Sequence, residues 1–204
     1  MSQPPVAAAV TVSPWNLANY LTVLRLLLVP VFLGLLLARD GEDSGLRLAA
    51  AGVFVLAAFT DRVDGQIARS RGLVTSFGKL ADPIADKALI GAALVGLSLL
   101  GELPWWVTVL VLVREIGVTV LRFVVIRHGV MPAGRGGKLK TVLQTLAITL
   151  YLLPLSGGLR TAAVGVMVAA VVLTVVTGVE IVVKALVLRT TSERADMKRQ
   201  RARS

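Results

Sequence analysis

Residues 161–188, TAAVGVMVAAVVLTVVTGVEIVVKALVL, contain only two charged side chains, Glu180 and Lys184. At 1.5 Å of rise per residue, a bilayer core takes roughly 20 apolar residues, so the stretch reads as a membrane-spanning helix. Five further stretches read the same way, some loosely: 17–38, 46–60, 81–100, 103–126 and 139–155. The second is short as an apolar run, and the reading continues it as helix past Thr60 into the polar residues 61–69. Composition agrees. Hydrophobic residues make up 55% of the 204 and charged ones 17%, whereas a soluble domain is about 25% charged. Disorder is excluded by the same figures, because there is ample apolar surface to bury. The expected fold is an all-α integral membrane protein of six transmembrane helices, with a polar active-site cavity facing the cytoplasm. Its parts are an interfacial N-terminal segment (1–16), the helical domain (17–188) and a basic tail (189–204).

Basic residues give the orientation. Arg62, Arg69, Arg71, Lys79 and Lys87 fall around the second loop, and Arg127, Arg135, Lys138 and Lys140 around the fourth. The tail adds Lys184, Arg189, Arg194, Lys198, Arg199, Arg201 and Arg203, while the first, third and fifth loops hold only Arg39, Arg47 and Arg160. Basic loops stay in the cytoplasm, which places both termini there. The formal charge of +10 thus reports topology and anionic lipid rather than nucleic acid. Trp105 and Trp106 are expected at the opposite interface, and Pro14-Trp15 opens an interfacial helix. Pro30 lies inside the first span, and Pro104 suits the first turn of the fourth. The run 133–137 reads as a flexible Gly-rich connector, and the tail beyond Arg189 as polar, basic and disordered. With no Cys and a single His128, thiolate sites and multi-histidine zinc clusters are excluded.

Acids are scarce, twelve in all, yet Asp61, Asp64, Asp82 and Asp86 lie close together. The members of each pair are three or four apart and share a helix face. A short reversal around 70–76 would bring the two pairs together. Four carboxylates converging at a membrane edge repel one another and resist desolvation. Hard divalent cations offset both effects, and all-oxygen ligation points to Mg²⁺, Mn²⁺ or Ca²⁺. Gly65, Ala68 and Gly78 leave room for close approach, and Arg69 offers a fork for phosphate. Together these parts suit metal-assisted phosphoryl transfer. A divalent-cation transporter is the rival from another class. It should place acids at the bilayer midplane and show internal symmetry, whereas here they gather at one face.

The array D-x2-D-G-x2-A-R-x8-G-x3-D-x3-D, from Asp61 to Asp86, matches the signature of the CDP-alcohol phosphatidyltransferases, and the chain is identified as resembling that family. The resemblance implies transfer of a phosphatidyl group from CDP-diacylglycerol to an alcohol, with release of CMP. It implies two Mg²⁺ or Mn²⁺ ions held by Asp61, Asp64, Asp82 and Asp86, with Asp86 also the general base. Gly65, Ala68, Arg69 and Gly78 fall where the family holds the cytidine nucleotide; Asn19 and Thr22 are candidates to bond the donor diphosphate, the plainer reading being that they satisfy neighbouring helices. A homodimer is implied as well.

Three flanking stretches resemble the branch of that family whose acceptor is glycerol 3-phosphate: 19–25 with Pro30 beyond it, 114–122 and 137–144. A phosphorylated acceptor needs cations beyond those that hold the donor, and Arg25, Arg114, Arg122, Lys138 and Lys140 are the candidates. Charge within a span is expensive and usually functional. The last four have plainer readings. Arg114 pairs with an acid such as Glu115 or Glu180, Arg122 snorkels to the interface, and Lys138 and Lys140 are ordinary positive-inside charges. Glu180 and Lys184 read as an intrahelical ion pair. Within the family the rival acceptors are inositol phosphate, inositol, serine and phosphatidylglycerol.

Overall fold

A computed structural model describes the backbone of residues 17–70, 76–125 and 135–201, and the side chains of 19–60, 84–121 and 137–187. Six helices follow one another: α1 (Leu17–Leu37), α2 (Ser44–Ser70), α3 (Ser76–Leu99), α4 (Trp105–Val125), α5 (Arg135–Leu152) and α6 (Gly157–Arg201). Among the described residues there is no strand. The all-α class and the number of helices agree with the sequence, and α2 does continue through its polar end to Ser70. The expected reversal and the Pro14-Trp15 segment lie outside the described residues.

Four boundaries are corrected. Helix α3 starts at Ser76 rather than 81, and α5 starts at Arg135, so Gly136 and Gly137 belong to its first turn instead of a connector. The tail read as disordered continues α6 as helix to Arg201. Pro104 stands just before α4, where its carbonyl accepts from the Val107 amide at 3.0 Å. The cause is common to the first three. Hydropathy ends a run where charges begin, but Lys, Arg, Glu and Ala are all good helix formers.

Among the described residues, two stretches are long and apolar enough to cross a membrane by length and composition alone, Asn19–Gly41 and Gly157–Val187; the apolar part of α2, Ser44–Thr60, is shorter. The exterior is nonetheless apolar. Val109, Val113, Ile116 and Val120 of α4 are all more than half exposed and recur at helical spacing along one face. Val168, Val172, Val176, Val179, Val183 and Val187 do the same on α6. Continuous apolar surface of this kind marks contact with lipid or protein.

Helices α1, α2 and α3 pack together, while α6 lies against α4 and α5, with α2 and α3 also touching α5. The core between them is built from Phe32, Leu36, Phe54, Leu94, Leu97, Ile148 and Leu152, with the Phe32 and Phe54 rings 5.8 Å apart. The turns are specified locally. After α1, Arg39, Asp40 and Gly41 all take positive φ, and Asp43 then caps α2 through the Gly45 and Leu46 amides at 2.9 and 3.0 Å. Helix α3 ends in a Schellman motif: Gly101 has φ +71°, and the Glu102 amide reaches back to the Leu97 carbonyl at 3.0 Å.

Three turns meet at one end of the bundle. Arg47, at the start of α2, donates to Glu102 between α3 and α4 and to the Tyr151 carbonyl at the end of α5, the latter at 2.8 Å. Arg160, at the start of α6, pairs with the same Glu102 at 3.2 Å and lies 4.3 Å from the Tyr151 ring centroid. The helices therefore alternate in direction, and the first, third and fifth turns share an end, as the charge pattern predicts.

Candidate active site

On α1, Asn19, Thr22 and Arg25 recur every three residues and are all buried, Arg25 to 1% exposure. Phe32 and Leu36 continue the same face into the core. Burying an arginine is costly without partners, so this end of α1 carries a polar site where packing alone would want Leu. The structure thus brings three of the sequence candidates onto one inward face, against α2 and α3.

Asp61, Asp64, Gly65, Ala68 and Arg69 occupy the last turns of α2, and Gly78 and Asp82 the first turns of α3. Their side chains lie outside the described residues, as does that of Arg122 near the end of α4. Asp86 is described. Its half-buried side chain lines a cavity of about 90 Å³, together with Lys87 and Ile90 of α3, Leu112, Glu115 and Ile116 of α4, and Lys140, Thr141 and Gln144 of α5. Two carboxylates, two ammonium groups and an amide therefore face one small space at the end of the bundle opposite the Glu102 cluster. An array of this kind can hold a small charged alcohol and take a proton from it.

The basic candidates separate by what they touch. Lys140 is 5% exposed and pairs with Glu115 at the cavity wall. Arg114 donates to the same oxygen of that carboxylate, Oε1, at 3.0 Å, but its remaining donors go to α6, to the Thr174 carbonyl at 3.2 Å and the Thr177 hydroxyl at 2.9 Å. It does not line the cavity, and the geometry favours its reading as a partner of Glu115 that ties α4 to α6. Lys138 is exposed and also away from the cavity. Glu180 and Lys184 form the expected ion pair along α6.

Sequence reasoning overlooked Lys87, Thr141, Gln144 and the site role of Glu115. A signal for Gln144 was present: Lys140, Gln144, Ala147, Ile148 and Tyr151 form one buried stripe on α5, and the first two are polar where the stripe calls for apolar residues.

The fold is thus an alternating helical bundle with an apolar exterior and a small charged cavity lined by Asp86, the last residue of the aspartate motif. The family model described as CDP-alcohol phosphatidyltransferase matches residues 15–176, and the chain belongs to that family; it is a transferase. It is 61% identical over 171 residues to the probable phosphatidylglycerophosphate synthase of Mycobacterium tuberculosis, covering 84% of this chain and 82% of the relative. It is 40% identical over 149 residues to the CDP-diacylglycerol–glycerol-3-phosphate 3-phosphatidyltransferase of Bacillus subtilis, covering 68% and 77%. A CMP-forming cardiolipin synthase of Streptomyces coelicolor is 36% identical over 120 residues, covering 57% and 54%.

Proposed function

We propose that this enzyme transfers a phosphatidyl group from CDP-diacylglycerol to glycerol 3-phosphate, giving phosphatidylglycerophosphate and CMP. The observation that carries the acceptor is the cavity. Lys87 and Lys140 line it and offer charge for the phosphate of a phosphorylated acceptor, while Asp86 on the same wall faces its hydroxyl. The names of the two relatives with the higher identity agree with this acceptor.

In this reading Asn19, Thr22, Gly65, Ala68, Arg69 and Gly78 hold the cytidine diphosphate end of the donor, whose acyl chains remain in lipid. Arg25 adds a buried positive charge on the same face of α1. Asp86 accepts the proton of the acceptor hydroxyl, the oxygen attacks the β-phosphorus, and the bond to CMP breaks. The residues present fit divalent ions: a half-buried Asp86 in the first half of α3 follows a helix whose end carries Asp61 and Asp64, and Asp82 lies one turn before it. Two Mg²⁺ or Mn²⁺ ions held by these four would neutralise the diphosphate and stabilise the departing CMP. The apolar exterior supports six membrane crossings, with the cavity and both termini on the cytoplasmic side of the inner membrane, and the enzyme acts as a homodimer.

The test is CMP release by the purified protein with CDP-diacylglycerol and one acceptor at a time. Glycerol 3-phosphate should support turnover, EDTA should stop it, and Mg²⁺ should restore it. Asp86→Asn should lower kcat by at least ~10²-fold, as loss of a general base does, without changing the helical content. Turnover with inositol phosphate or phosphatidylglycerol and none with glycerol 3-phosphate would assign another acceptor.

A further inference from the structure

The geometry points to Gln144 as a specificity-determining residue that reads the non-reacting hydroxyl of the acceptor. This rests on the glycerol 3-phosphate reading above. The side chain is 3% exposed and lines the cavity, yet its amide nitrogen has no hydrogen-bond partner among the described residues. Buried donors are nearly always satisfied, because an unmade bond forfeits the full cost of leaving water. The contact between α3 and α4 obeys that rule. The buried Ser98 and Thr108 hydroxyls bond each other at 2.7 Å, and Thr108 also reaches the Leu94 carbonyl at 3.2 Å.

Around Gln144 the cavity wall divides into groups with other tasks and groups with none to offer. Glu115 is held by Arg114 and Lys140, both at its Oε1. The Thr141 hydroxyl donates to the Gly137 carbonyl at 3.1 Å. Ile90, Leu112 and Ile116 are apolar. An ammonium can only donate and a carboxylate can only accept, whereas a carboxamide does both. Gln144 lies one helical turn beyond Lys140 on the same face of α5. A three-carbon acceptor with its phosphate at a lysine and its terminal hydroxyl at Asp86 leaves one central hydroxyl to satisfy, and the carboxamide matches both its proton and its lone pairs.

The experiment compares glycerol 3-phosphate with 3-hydroxypropyl phosphate, which has the same length and lacks the central hydroxyl. The full-length enzyme and CDP-diacylglycerol are used throughout. Wild-type enzyme should prefer glycerol 3-phosphate in kcat/KM by about tenfold, the usual value of one neutral hydrogen bond in a site. Gln144→Leu should lose most of that preference through a higher KM for glycerol 3-phosphate, while its turnover of 3-hydroxypropyl phosphate stays near the wild-type rate. That second activity also reports folding, and Gln144→Met supplies a near-isosteric variant should the leucine protein fail to fold. An equal loss on both acceptors by the folded Met variant, or an unchanged preference, would overturn the assignment alone. Absence of any turnover of glycerol 3-phosphate by wild-type enzyme would overturn the functional reading and the assignment with it.

Discussion

Asp43 stands before the first turn of α2 and accepts the amides of Gly45 and Leu46, while Arg39 reaches its other oxygen at 3.0 Å. The Leu46 amide, with the Gly45 amide and the Arg39 guanidinium behind it, holds the carboxyl below its ordinary value of 3.8, against a smaller opposing effect of desolvation. The sign follows from linkage. A group whose pKa is depressed by folding adds stability above its unfolded pKa, and that stability is lost as pH falls through the lower folded value. Asp43→Ala should therefore unfold at a lower temperature than wild type near neutrality, and the gap should narrow below pH 3.8. A gap that persists unchanged far below that pH would show that the charge of the cap contributes nothing. At this scale the sequence was legible where chemistry repeats in a pattern, as in the aspartate array. It was less so for single cations. Arg114 and Lys140 look alike in one dimension. Only packing shows that Arg114 spends its donors on α6, passing close enough to Gly178 that a Cβ there would lie 3.1 Å from its Cγ.

At the scale of helices, α1 and α3 approach closely at Gly96. A Cβ at that position would stand 2.7 Å from Leu36 Cδ2 and 3.3 Å from Leu33 Cδ2, and Leu36 is fully buried. Gly96→Val should lower stability by about 1–3 kcal/mol, the usual cost of overpacking, measured as a shift in the unfolding midpoint in detergent. Adding Leu36→Ala should recover part of the Gly96→Val loss, relative to the sum of the two single changes, because it removes the clashing atoms. Strict additivity would place the strain elsewhere. The existence of all six helices was readable from apolar runs and their lengths. Their polar ends were not, except in α2, because hydropathy follows the solvent of a segment while helical hydrogen bonding continues past the membrane edge. The length of α6 shows this most clearly: its charged end carries on the helix that its valine-rich part begins.

For the whole molecule, charge sorts the two ends of the bundle. At the end where Arg47, Glu102, Tyr151 and Arg160 meet, the cations share an acid, and few others are present. The cavity lies away from that end, and most of the remaining lysines and arginines fall in the second and fourth loops and the tail of the sequence. Positive residues resist transfer across a membrane, so the cavity end should be cytoplasmic and the Glu102 end outside. The chain has no cysteine, which makes single introduced thiols clean reporters of side. Ser156, between α5 and α6 near the Glu102 end, and Lys138, in the first turns of α5, are both exposed. A membrane-impermeant maleimide should label Ser156→Cys in intact cells, provided an outer envelope does not exclude it. Lys138→Cys should react only after the membrane is permeabilised. Inverted vesicles should reverse the pattern. Labelling of both positions from the same side would mean that α5 does not cross, and would overturn the proposed six-span arrangement.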